Sequence, residues 1–118
     1  MIDNIGISGV KYKVEESLRK YAVKRLGHLD KFLPRKNRKD VMMRVVVRQV
    51  NRPHGNKYEI SAALDVPGGK VMTAKDEAGN VFAGIDILEA KLRGQVRKFK
   101  AEKVEYEKKG VLKKFLRH

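Results

Sequence analysis

Residues 58–74, YEISAALDVPGGKVMTA, contain the pattern that decides the fold. Apolar residues alternate with polar or small ones along the first half of this stretch, which is typical of a strand with one buried face. Pro67, Gly68 and Gly69 then predict a tight hairpin turn, because proline presets one backbone dihedral and glycine accepts a positive φ. Residues 70–74 return as a short strand. A hairpin is therefore expected near the middle of the chain.

The segments on either side of this hairpin supply the remaining elements. Upstream, the Val-rich residues 41–50 predict a strand, and residues 1–9 alternate as a first short strand. Apolar residues recur at steps of three and four in residues 14–33, which predicts an amphipathic helix that ends before Pro34. The same spacing predicts a second amphipathic helix over residues 80–103.

The element order is therefore β-α-β-β-β-α, which indicates an α+β fold. Three consecutive strands with short connections favour an antiparallel meander, and the simplest packing places a four-stranded sheet under two helices on one face. We interpret residues 1–103 as a single domain and residues 104–118 as a basic C-terminal extension or tail.

The net charge is the most informative number in the composition. The 118 residues include 28 Lys and Arg against 14 Asp and Glu, a formal charge of +14. Residues 14–39 have a net charge of +6, residues 91–118 have +8, and the remainder is neutral. The excess therefore lies on the two helical regions, and it favours a nucleic acid as partner over an anionic membrane surface.

Several classes of protein are not indicated by the sequence. The chain has no Cys and three scattered His, so neither a metal nor another cofactor is expected. No carboxylate pair stands beside a histidine, so we predict that the chain is not an enzyme. Asp86 and Glu89 are expected to form ion pairs along the helix with Lys91 and Arg93. Without an 18-residue apolar run or a secretory signal pattern, the chain is expected to be cytoplasmic.

The cations are not scattered evenly around the two helices. In the first helix, Lys20, Lys24 and Lys31 fall opposite the apolar stripe and form what we call the lysine ridge, with Arg25 to one side. In the second helix, cations flank a small-residue valley that faces away from the core, where a phosphate backbone can approach or another protein element can pack. The valley consists of Ala83, Ala90, Gly94 and Ala101, and the flanking cations are Lys91, Arg93, Arg97, Lys98 and Lys100.

Residues 81–100, VFAGIDILEAKLRGQVRKFK, resemble the signature helix of the ribosome hibernation promoting factor family, also called ribosome-associated inhibitor A or sigma-54 modulation proteins. The pattern in that family is roughly aromatic-x-Ala-Ile-Asp-x-x-x-x-Lys-Leu-x-x-Gln-Leu-x-Lys. Residues 18–26, LRKYAVKRL, are similar to the first helix of the family. The resemblance spans about residues 5–103 and is that of a short form without a separate dimerisation domain.

The resemblance implies a fold similar to double-stranded RNA-binding domains and a non-catalytic role on the ribosome. Such a protein binds the small subunit in the channel used by mRNA and tRNA anticodon ends, blocks initiation and preserves idle ribosomes under stress. It is expected to be a monomer off the ribosome. The positions that match rRNA-facing residues of the family are Lys20, Lys24, Arg25, Lys31, Lys91, Arg97, Lys98 and Lys100. Arg93 lies one position before the place where the family often has an arginine.

Two other classes remain open from the sequence. A free double-stranded RNA-binding module would have the same element order and the same basic helices. A protein-interaction module, such as a transcription modulator, would use the small-residue valley instead. Reversal of charge on the helices separates these classes, because only the RNA-binding classes predict a large loss of binding.

Overall fold

The computed structural model describes the backbone of residues 1–50, 53–55, 57–68 and 70–116, and the side chains of these residues as far as 102. It confirms the predicted α+β order of elements. The four strands are β1 (Asn4–Val10), β2 (Met42–Gln49), β3 (Tyr58–Asp65) and β4 (Val71–Ala78), and the two α-helices are α1 (Glu16–Leu26) and α2 (Val81–Leu116). Two 3-10 segments, Gly27–Phe32 and Arg35–Asn37, connect α1 to β2.

The four strands form one mixed sheet in the order β1-β2-β3-β4. β2, β3 and β4 are antiparallel neighbours, which confirms the predicted meander. β1 is parallel to β2, because α1 returns the chain to the starting end of the sheet before β2 begins. The likeness to double-stranded RNA-binding domains stays a prediction.

The hydrophobic core lies between one face of the sheet and the two helices, as predicted. From the sheet, Val45, Ile60 and Met72 are almost fully buried. Leu18 of α1 and Leu92 of α2 meet them from the other side. The opposite face of the sheet carries exposed residues of alternating strand positions, so one layer of helices covers one layer of sheet.

The first helix is shorter than its apolar spacing predicts. α1 ends at Leu26, and residues 27–32 continue as a 3-10 segment in which Leu29 remains buried. The carbonyl of Gly27 accepts a hydrogen bond from the backbone N–H of Ile2 at 2.8 Å, so this carbonyl is occupied by the N-terminal strand region. The tighter 3-10 turn keeps Leu29 on the core side, which explains why the spacing of apolar residues resembled that of a longer α-helix.

The second helix is longer than predicted. Asn80 caps its first turn, where its Oδ1 accepts hydrogen bonds from the backbone N–H groups of Phe82 at 2.8 Å and Ala83 at 3.3 Å. The helix continues through the predicted 104–118 extension as far as Leu116, and residues 117–118 lie outside the described residues. Its 36 residues give it a length of about 54 Å.

β4 is the edge strand on the side of α2, and it runs to Ala78, four residues beyond its predicted end. Two side chains of α2 satisfy its backbone carbonyls. Lys91 Nζ donates to the carbonyl of Lys75 at 2.9 Å, and Gln95 Nε2 donates to that of Thr73 at 2.6 Å. Covering these acceptors protects the strand from pairing with another chain.

The predicted turn between β3 and β4 is present at Pro67 and Gly68, where Gly68 has a φ of +74°. Gly69, the last residue of the predicted turn, lies outside the described residues. Among the residues that the structure describes, no helix is both long enough and apolar enough to cross a membrane.

Candidate nucleic-acid interface

The outward surfaces of α1, the first 3-10 segment and α2 form the cationic side of the molecule. All nine predicted RNA-binding residues have solvent-accessible side chains on these elements, and Arg93 is the one that is half-buried. The structure places Lys31 in the 3-10 segment rather than in the α-helix. Their assignment to RNA stays a prediction, but the geometry separates them into groups with different surroundings.

An interhelical groove of about 510 Å³ runs between α1 with its 3-10 segment and α2. Four of the predicted cations lie along it together: Lys24, Arg25 and Lys31 on one wall and Arg93 on the other. Leu29 supplies an apolar patch of the groove lining. Sequence spacing alone did not reveal this groove, because it depends on how the two helices pack against each other.

Phe32 also lines the groove, and its ring lies close to two of the predicted cations, Lys31 and Arg97. Lys31 Nζ lies 5.1 Å from the centroid of its ring, and Arg97 Cζ lies 4.9 Å from it. Both distances are within the range of cation–π attraction. The aromatic ring therefore holds a cation from the 3-10 segment and one from α2 on the same side of the molecule.

Two carboxylates of α2 form the acidic floor of the groove. Asp86 Oδ1 accepts a hydrogen bond from Arg25 Nε at 2.9 Å and another from the hydroxyl of Tyr21. Glu89 is buried, with Arg93 Nε 3.7 Å from Oε1 and Arg25 Nη2 4.0 Å from Oε2. The predicted Glu89–Arg93 pair along the helix is confirmed.

The prediction for Asp86 was wrong, because its partners are across the groove rather than along its own helix. This bond pattern has consequences for ionisation. The hydrogen bond from Arg25 to Asp86 raises the pKa of the Arg25 guanidinium. The pKa of the Tyr21 hydroxyl is also raised, first by its hydrogen bond to Asp86 and then by burial. Arg25 is therefore held as a fixed cation that ties α1 to α2.

Four of the predicted cations are exposed, and their side chains have no hydrogen bond, ion pair or cation–π contact within the described part of the chain. They are Lys20, Lys24, Lys98 and Lys100. By contrast, Lys91 already contacts the carbonyl of Lys75 and lies 3.8 Å from Asp76, which holds it at the edge of the sheet. The unpaired ammonium groups are the ones most available to phosphate, because no internal partner has to be given up.

The small-residue valley on α2 faces solvent as predicted. Ala83, Ala90, Gly94 and Ala101 are all exposed. A Cβ atom built on Gly94 meets no atom within 4 Å, so the helix backbone there is open to close approach. Gly84, one residue from the valley, behaves oppositely: a Cβ built there meets Ile60 of β3, so this glycine lets the helix lie close to the sheet.

The chain is similar in sequence to one described protein family and to proteins named as ribosome hibernation factors. The sequence profile of the family described as "Sigma 54 modulation protein / S30EA ribosomal protein" matches residues 5–104. The chain is 30% identical over 105 residues to the ribosome hibernation promotion factor of Deinococcus radiodurans, covering 88% of this chain and 52% of that protein. It is 30% identical over 96 residues to the ribosome hibernation promoting factor of Pseudomonas putida, covering 81% of this chain and 85% of that one.

The fold also matches that of a solved structure. The crystal structure of the Thermus thermophilus Protein Y N-terminal domain superposes with a TM-score of 0.66 at 25% identity. The match covers 84% of this chain and 99% of that domain. The chain spans about half the length of the Deinococcus relative and most of the Pseudomonas relative.

Proposed function

This chain belongs to the sigma 54 modulation protein / S30EA ribosomal protein family, and we propose that it is a ribosome hibernation factor that binds the small ribosomal subunit. In this role it occupies the decoding channel, where mRNA and the anticodon ends of tRNA bind. It thereby inhibits translation and stabilises idle ribosomes under stress. It acts in the cytoplasm without catalysis, and it is a monomer when it is off the ribosome.

The observation that supports this proposal best is the set of exposed, unpaired lysines on both helices, Lys20, Lys24, Lys98 and Lys100. Neutralisation of phosphates by such side chains releases counterions, which favours binding to a polyanion. The described side chains include no row of exposed aromatic residues, so the surface suits recognition of backbone and shape. Folded rRNA suits this kind of recognition, because its phosphates are held in a fixed arrangement.

Co-sedimentation with separated ribosomal subunits and with a free RNA duplex tests the proposal. We expect the chain to pellet with small subunits at moderate salt, and to bind large subunits and the duplex more weakly. Equal affinity for the duplex would favour a free double-stranded RNA-binding module. Absence of binding to small subunits would refute the proposal.

A competition experiment tests the proposed channel. A tRNA bound to the small subunit over a short mRNA should be displaced by the chain, because both occupy the same space. Simultaneous binding of tRNA and the chain would contradict a location in the decoding channel while leaving small-subunit binding itself intact.

A further inference from the structure

His28 lies between two depressions on the cationic side of the molecule. It follows Lys20 and Lys24 at steps of four residues and lies near the start of the first 3-10 segment. Its side chain is exposed and lines the interhelical groove. It also lines a shallow depression of about 420 Å³ between α1 and Met1. Because Lys24 borders both depressions as well, His28 continues the lysine ridge that separates them.

The charged groups around His28 come from α1, the 3-10 segment, α2 and the N-terminal residue. Those that line the two depressions as cations are Arg19, Lys20, Lys24, Arg25, Lys31 and Arg93. The amino group of Met1 lies 2.9 Å from Oδ2 of the buried Asp30, so these two charges pair with each other. The immediate surroundings of the imidazole are therefore mainly cationic, as expected of a surface that meets phosphates.

The carboxylates that line the two depressions are already close to other cations. Glu16 lies 4.0 Å from Arg19, Asp86 accepts hydrogen bonds from Arg25 and Tyr21, and Glu89 is buried beside Arg93. The imidazole of His28 itself has no hydrogen bond or ion pair with any residue that the structure describes. An anionic partner for a protonated His28 therefore has to come from outside the described part of the chain.

We propose that His28 is a proton-dependent phosphate contact, which takes up a proton from solvent as a phosphate of the RNA binds beside Lys24. This inference rests on the proposed function, since it assumes that RNA lies against the two helices. Histidine is the side chain that ordinarily changes charge near neutral pH, and its protonated ring donates hydrogen bonds from both nitrogens. A nearby phosphate favours the charged ring, so by linkage a lower pH strengthens binding. The lysines of the ridge supply attraction at any pH, whereas His28 adds to it only under mildly acidic conditions.

The affinity of the full chain for small ribosomal subunits, measured near pH 6 and near pH 8 over a range of salt concentrations, tests the inference. Relative to His28→Gln, the wild type should gain about fivefold in affinity near pH 6, the factor that one exposed ion pair contributes at most. Its slope of log affinity against log salt should also be steeper by about 1 near pH 6, because one more phosphate is neutralised. His28→Lys should bind near pH 8 as tightly as the wild type binds near pH 6. His54→Gln, an exposed change in the connection between β2 and β3, should keep the pH dependence of the wild type.

The same pH dependence in His28→Gln as in the wild type would overturn the inference, and so would its loss in His54→Gln. Binding of His28→Lys near pH 8 that is no tighter than that of the wild type would also overturn it, and this result does not depend on the stability of His28→Gln. Each of these outcomes leaves the proposed function in place, because the chain still binds small subunits. Absence of binding at both pH values would refute the proposed function and this inference with it.

Discussion

The two glycines of α2 predict opposite effects for the same substitution. Replacement of a helix-interior glycine by alanine normally stabilises a helix by about 0.5–1 kcal/mol. At Gly94 the new methyl group meets open space, so Gly94→Ala should raise the free energy of unfolding by that amount. At Gly84 the methyl group overlaps Cδ1 of Ile60 and lies 3.2 Å from its Cγ1, and Ile60 is fully buried. Overpacking of this kind costs about 1–3 kcal/mol.

The free energies of unfolding of Gly84→Ala and Gly94→Ala should therefore differ by about 1–3 kcal/mol, with Gly84→Ala the less stable. For a domain of this size the melting temperatures should differ by roughly 5–10 °C. Thermal and urea unfolding followed by circular dichroism measures both quantities, and each variant serves as the control for the other. If Gly84→Ala were as stable as Gly94→Ala, the close approach of α2 to the sheet would be refuted.

Three further substitutions test the contacts of α2. The pKa of the Tyr21 hydroxyl is raised above 10.0, mainly by its hydrogen bond to Asp86. The contribution of this bond to the free energy of unfolding is therefore complete below pH 10 and is lost as the pH rises through the raised pKa. Tyr21→Phe should remove this dependence, which urea unfolding across that pH range will show. Gln95→Ala should cost about 1 kcal/mol in urea unfolding through loss of the bond to Thr73, and an unchanged midpoint would show that this bond contributes nothing. Leu92→Ala empties a fully buried position and should cost about 2–5 kcal/mol in the same assay, and a cost typical of a surface site would contradict its place in the core.

The sequence predicted the layers of the fold because hydrophobic periodicity reports directly which face of each element is buried. It also predicted the exposure of Lys20 and Gly94, which lie opposite an apolar stripe. It misplaced the ends of both helices. Apolar spacing does not distinguish an α-helix from the 3-10 continuation at Gly27–Phe32, and polar sequence after residue 103 does not by itself end a helix.

The groove and its carboxylates were beyond the reach of sequence periodicity. Asp86 and Arg25 are far apart in the chain, and their 2.9 Å contact exists only because α1 and α2 pack side by side. Helix spacing favours partners three or four residues away, so it correctly paired Glu89 with Arg93 and missed the partner of Asp86. Two aromatic residues that line the groove could be noticed in the sequence, because Tyr21 and Phe32 border the apolar stripe of the first helix.

A pair of matched charge reversals tests most directly whether RNA binds to the cationic surface of the two helices. Lys24→Glu combined with Lys98→Glu changes two exposed lysines on the helices, whereas Arg44→Glu combined with Lys75→Glu changes two exposed cations on the opposite face of the sheet. The affinity of each variant for small ribosomal subunits should be measured across a range of salt concentrations. The helix variant should bind at least about tenfold more weakly, and the slope of log affinity against log salt should fall by about 2, while the sheet variant matches the wild type. Equal losses in both variants, or no loss in the helix variant, would contradict binding of RNA by the two helices.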